Sequence, residues 1–262
     1  MKTKMKKTIL LIAAIVCCAA SLSAQDAEAI VRASRNRIEA ATTSSRSRMV
    51  ITARNGSTTE RVIDQYAKDD AQGNERMVIV FQSPATVKGT RFLTIDKSAG
   101  DSDRWIFLPS LGKVRRIAAS EGGGNFMGTD FSYDDMSSAN RAVEKDTYTV
   151  LREENLKGAD CYVIQSVSRD DSFQYSKIIS WIDKNSYINY QSEMYDRRGD
   201  LLKVMESGAL KDIQGRLTPT QITVRTVSAG TATTIYMDII KYDDPIPESV
   251  FTTAYLETGR AR

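Results

Sequence analysis

The chain has 262 residues, with 36 lysines and arginines against 33 aspartates and glutamates, no histidine and three cysteines. Without histidine it has no means for a His-based catalytic triad or a His-ligated metal site. The formal charge of +3 does not point to a nucleic-acid partner, because the excess lies in the first few residues.

Residues 1–24 read as a secretory signal peptide. Lys2, Lys4, Lys6 and Lys7 form a basic start, residues 8–20 an apolar stretch, and Ser23-Ala24 a small-residue cleavage site before Gln25. The apolar stretch is shorter than the roughly 20 residues of a membrane span. Loss of the four lysines leaves 32 basic and 33 acidic residues, a net of −1. Cys17 and Cys18 leave with the signal, so Cys161 remains alone and cannot form an internal disulfide. It lies in an apolar run and is expected to be buried and inert. Residues 25–262 are expected to form a single exported domain.

An amphipathic helix is expected over 26–41, with Asp26 as N-cap, Glu28 in the first turn, and Ile30, Ala33, Ile38 and Ala41 near one face. From about residue 46 the apolar period becomes two. Strands are expected at 48–54, 59–68, 75–82, 89–96, 103–109 and 113–117. After a break they resume at 146–153, 159–168, 176–183, 188–196, 201–206, 218–227 and 231–242. Turn residues such as Asn55-Gly56 and Arg198-Gly199-Asp200 separate many of them. Short turns between so many strands predict an antiparallel meander, too long to stay open and flat. The fold class is therefore mainly β: a strongly curved antiparallel sheet forming an incomplete barrel, covered by the N-terminal helix and a central segment.

That central segment spans 118–142. Gly122-Gly123-Gly124 predicts a flexible loop. Phe126, Met127, Phe131 and Tyr133 alternate with Asp130, Asp134 and Asp135, a density of aromatics and acids that suits a cover or functional loop. Asp134-Asp135 without a third ligand is weak evidence for a metal, and no Lys-Ser/Thr follows the glycines as a phosphate loop requires. No cofactor or metal and no catalytic residue is expected.

The motifs Pro84, Lys88-Gly89-Thr90, Phe92-Leu93, Trp105-Ile106-Phe107-Leu108-Pro109, Lys113-Val114-Arg115-Arg116-Ile117 and Phe126–Asp135 together resemble the LolA-like family of outer membrane lipoprotein-sorting proteins. Trp181-Ile182-Asp183, Glu193–Asp196, Gly199 and Leu202-Lys203 extend the resemblance over roughly 45–245. It implies an incomplete barrel with an apolar cavity that shelters acyl chains in the periplasm. It transfers the fold more directly than the cargo.

Candidates for a cavity lining are Met77, Ile79, Phe81, Leu93, Trp105, Phe107, Trp181, Met194, Met205 and Met237. The ordinary reading of each one taken singly is core. Arg115 and Arg116 point to opposite faces of one strand, and one of them is expected to pair with Asp130, Asp134 or Asp135. That pair would latch the segment carrying Phe126, Met127, Phe131 and Tyr133 over the barrel. The function these residues suggest is periplasmic binding and transport of lipid or lipoprotein acyl chains toward the outer membrane. An inner-membrane transporter would be the donor and an outer-membrane component the acceptor, with the carrier monomeric. The competing reading is an envelope sensor or interaction module that recognises lipids or lipoproteins and signals to a membrane protein.

Overall fold

The computed structural model describes residues 26–97, 102–137 and 142–261. The signal-peptide reading falls on residues 1–24 and lies outside the described residues. No helix among the described residues is long and apolar enough to cross a membrane.

Helix α1 occupies 26–35. It is shorter than the periodicity suggests, because the chain is drawn off after Asn36. Arg37 Nη1 donates to the Leu217 carbonyl (2.7 Å) and Arg216 Nε to the Glu39 carbonyl (3.0 Å), which ties residues 36–41 to the sheet as a strap. Thirteen strands follow: β1 (Thr42–Thr52), β2 (Thr58–Asp69), β3 (Glu75–Ser83), β4 (Arg91–Ile95), β5 (Asp103–Leu108), β6 (Lys113–Ile117), β7 (Asp146–Leu156), β8 (Ala159–Ser168), β9 (Lys177–Asp183), β10 (Asn189–Tyr195), β11 (Leu201–Ile213), β12 (Arg216–Thr226) and β13 (Thr231–Tyr242). Two short helices complete the chain, α2 (Tyr133–Ser137) and α3 (Thr253–Thr258).

All thirteen strands form one antiparallel sheet in the order β6-β5-β4-β3-β2-β1-β13-β12-β11-β10-β9-β8-β7. It is a meander cut in the middle of the chain. First and last strands pair at its centre, and the mid-chain strands β6 and β7 are its two edges. The incomplete barrel is therefore open between β6 and β7.

Residues directly opposite each other in a ladder share a face, so the registers assign every side chain. On the inner face lie Met77, Ile79 and Phe81, then Phe92 and Ile106, then Met49, Ile235 and Val224. These pack with Phe126 and Phe131 of the connecting segment into the main core. A second inner cluster joins Ala27 and Val31 of α1 to Tyr148, Ile164 and Ile182. The outer face of β3–β6 has its own core. There Val78, Val80 and Leu93 are sealed by Val250, Phe251 and Leu256 from the C-terminal segment. A strand apolar on both faces is covered on both faces, and β5, with Trp105 and Phe107 outward and Ile106 inward, is the example.

Candidate functional site

The segment after β6 is built to cross the inner face. Its three glycines are packed, which corrects the expectation of a flexible loop. The Gly122 and Gly124 carbonyls accept from the Asp134 and Tyr133 amides (2.8 and 3.1 Å). A Cβ at Gly122 would lie 2.3 Å from Asp134 Oδ1, so glycine serves close approach here. A tight turn follows. Met127 and Gly128 take positive φ (51° and 74°), and the Phe126 amide donates to the Phe131 carbonyl (2.7 Å). Ser132 and Asp135 then cap α2 reciprocally. The Ser132 amide donates to Asp135 Oδ2 (2.8 Å), and the Asp135 amide donates to Ser132 Oγ (3.0 Å).

The segment is anchored on both halves of the sheet. Toward β2–β5, fully buried Phe126 stacks against Phe81 and Phe92 with ring centroids 5.9 and 5.1 Å apart, and Tyr133 meets Phe126 edge-on at 5.6 Å. Arg61 Nη1 donates to the Met127 carbonyl (2.7 Å). Arg104 Nη2 pairs with Asp134 Oδ1 at 2.9 Å while its Nε donates to Ser137 Oγ.

Toward β11–β13, buried Asp130 accepts hydroxyl hydrogen bonds from Thr226 (2.6 Å), Thr233 (2.7 Å) and Thr231. Asp135 accepts from Lys203 Nζ (2.8 Å) and the Tyr175 hydroxyl (2.7 Å). Burial, and then the Asp135 carboxylate, hold the Tyr175 hydroxyl well above its ordinary pKa, so it stays a donor. Gln174 reaches Ser132 from the same loop.

The acidic residues Asp130 and Asp134 do hold the segment, but through other partners than Arg115 and Arg116. Arg115 pairs with Glu121 (2.7 Å) at the rim. Arg116 stands opposite Trp105 on the outer face and pairs with Asp103. Arg115 does face inward, opposite Ile106, but the inward cation that reaches Asp134 is Arg104, on the same face of β5 as Ile106. Of the expected lining residues, Met77, Ile79, Phe81, Met194, Met205 and Met237 belong to inner-face clusters. Leu93, Trp105 and Phe107 lie on the outer face under the C-terminal segment, and Trp181 packs outward with Cys161 and Val163. These four do not reach the inner face, because ladder parity sends them the other way.

Ile51, Met205, Ile222 and Met237 are only half-buried, packed beside Met49, Val224 and Ile235 across β1 and β11–β13. By ladder register they share the inner face and form a partly exposed apolar strip on it. Ile51 and Ile222 escaped sequence reading. The signal was their spacing from Met49 and Val224, two residues away on the same face. A separate cavity of about 640 Å³ beside the α1 terminus is polar, with Arg32, Arg35, Asp69, Asp96 and Lys97 in its walls. Burial raises the Asp96 carboxyl there above its usual range. Among the described residues no group of three or more Cys, Asp or Glu could hold a metal ion.

With this geometry in place, the likeness to known proteins can be read. A family model described as "-like: Uncharacterized protein" matches residues 73–258. The chain belongs to this family. A DUF1329 family protein from Desulfovibrio piger superposes with a TM-score of 0.85 at 27% identity, over 89% of this chain and 99% of that one. An outer membrane lipoprotein-sorting protein domain from Vibrio parahaemolyticus gives 0.84 at 24% identity, over 89% and 99%. The LolA superfamily protein NE2245 from Nitrosomonas europaea gives 0.70 at 21%, over 87% and 98%. The fold is thus LolA-like. No curated protein matches the sequence.

Proposed function

We propose that the protein binds acyl chains of lipid or lipoprotein on its inner face and carries them through the periplasm toward the outer membrane. The observation that carries this reading is the half-buried inner-face strip Ile51, Met205, Ile222 and Met237, beside a cover pinned by polar contacts. The names of two solved relatives, one lipoprotein-sorting and one of the LolA superfamily, support it.

An acyl chain gains about 0.8 kcal/mol per buried CH₂. Ten such groups contribute about 8 kcal/mol, the scale of micromolar affinity, before ordering costs. Opening the cover subtracts from this. If opening costs about 3 kcal/mol, apparent affinity falls roughly a hundredfold. Binding is reversible for that reason and requires no catalytic group and no cofactor. The monomeric carrier would receive cargo from an inner-membrane transporter and give it to an outer-membrane acceptor.

The test is native mass spectrometry of the mature protein, together with transfer of a fluorescent acyl lipid between vesicles. A stoichiometric amphiphile and transfer that Ile222→Glu abolishes are expected. Repeated absence of both overturns the reading.

A further inference from the structure

The open sheet has two strand edges, and they differ in kind. On β7 the pairing with β8 shifts register between Val150 and Arg152, and the strand carries charges of both signs in Arg152, Glu153 and Glu154. Such a bulge breaks the row of backbone groups and protects an edge from pairing. On β6 the register with β5 is unbroken from Lys113 to Ile117, and no strand covers its other side among the described residues.

The β6 edge is strongly basic. Lys113, Arg115 and Arg116 are exposed on it, and Lys97 lies beside it. Among the described residues, the carboxylates paired with these cations are Asp103, shared by Lys97 and Arg116, and Glu121, held by Arg115, while Asp96 beside Lys97 accepts from Ser102. Lys113 has no ion pair there among the described residues, and the exposed charge of the strand is basic. A second copy of β6 meeting this edge would set like charges against each other, so the charge pattern rejects self-association. Next to the edge lies a cavity of about 460 Å³ whose walls include Lys97, Asp103, Arg116, Ile117 and Ala118.

We infer that the free edge of β6 takes an extended, acidic segment of a partner protein as an added strand. The backbone supplies pairing, the cations select acidic side chains, and the cavity beside Ile117 receives one side chain of the segment. This docking surface lies off the apolar strip and stands whether or not acyl chains bind there.

The probe is a fluorescein-labelled peptide of alternating valine and glutamate, titrated at low ionic strength into the mature protein. A control peptide has proline in place of valine and keeps the same charge but cannot pair as a strand. The valine peptide is expected to bind at least about tenfold more tightly than the proline peptide and to weaken with added salt. It should also slow amide exchange within 113–117. The double variant Lys113→Glu, Arg116→Glu changes exposed side chains only and is expected to lose about tenfold or more in affinity at unchanged melting temperature. Should that variant fail to fold, the two peptides on the unaltered protein still decide. Equal binding of both peptides, protection on β7 instead of β6, or no binding of either overturns the inference.

Discussion

Asp130 is the point at which the covering segment is most cheaply unpinned. It is 4% exposed and accepts three threonine hydroxyls, while its amide donates to Thr233 Oγ1 at 3.0 Å. A hydrogen bond to a charged group contributes about 1.5–3 kcal/mol. The three share one carboxylate, and freed hydroxyls can turn to one another, so the effects do not add. Asp130→Ala is therefore expected to cost about 3 kcal/mol rather than the full sum. For a chain of this size that lowers Tm by about 6–12 °C. Asp130→Asn, which keeps an acceptor, should cost about 1 kcal/mol. Calorimetry measures the first quantity, and hydrogen exchange of residues 126–136 measures the release of the segment. If opening is local, exchange rises more than Tm falls. Acyl-lipid affinity should then increase, because the cost of opening has been removed. Unchanged Tm together with unchanged exchange would refute the argument that Asp130 pins the cover.

Four further outcomes follow from named contacts. In a double-mutant cycle of Arg104→Ala and Asp134→Ala, urea unfolding should give a coupling energy of about 1–3 kcal/mol, since both side chains are at least about five-sixths buried; additive losses would mean the pair is idle. Gly122→Ala drives a Cβ to 2.3 Å from a carboxylate already held by Arg104, and a loss of about 1–3 kcal/mol is expected by the same assay. Trp105→Ala should lower stability by about 2–3 kcal/mol yet leave lipid transfer per folded molecule unchanged, because its ring packs on the outer face; lost transfer would contradict that placement. Arg76 and Lys68 hold the Glu248 carboxyl down at about 2 from an ordinary 4.5. A depressed carboxyl stabilises the fold above its unfolded pKa, and that contribution is lost as pH falls from about 4.5 toward about 2. Glu248→Gln should flatten the stability profile across that window, and an unchanged slope would count against the ion-pair cluster.

The number of strands and their positions along the chain were legible because alternation and turn residues are local signals. Ile235, Met237 and Asp238 show it, as do Asn55-Gly56 and Arg198-Gly199. What alternation does not give is which face is inner. Trp105 and Phe107 are as apolar as Ile106, and only the C-terminal segment, far away in sequence, makes their face an outer core. The pairing of β1 with β13 is equally non-local. It turns what reads as one long meander into a sheet whose edges lie mid-chain.

The covering segment was recognisable by its aromatic and acidic density, but its partners were not. Asp130 is held by Thr226, Thr231 and Thr233, about a hundred residues downstream, and threonine in a strand is ordinary. Arg104 was passed over because Arg115 and Arg116 stood nearer in sequence. The glycine triplet misled in a different way. Glycine serves both freedom and close approach, and only the position of the Asp134 carboxylate distinguishes them.

The manner in which the segment is held bears on what it can do. Phe126 and Phe131 pack in the inner-face core. On the proposed function, an acyl chain that displaced them would offset part of its own burial by exposing them. Opening would in addition break the polar pins: Asp130 to three hydroxyls, Asp135 to Lys203 and Tyr175, and Asp134 to Arg104. A core meant only for stability gains little from buried ion pairs, which apolar residues of similar volume can replace without loss. Here they define one docked position for a segment whose apolar side chains could settle in several. If the protein carries acyl chains as proposed, they also set the height of the step that cargo must overcome. Replacing Lys203 and Asp135 together by a methionine–leucine pair removes one pin, and with it the cap of α2 and the acceptor of the Tyr175 hydroxyl. It should therefore lower Tm and speed lipid uptake, with stopped-flow uptake into the protein as the readout. Unchanged or slower uptake at lowered Tm would show that the pins do not set the step.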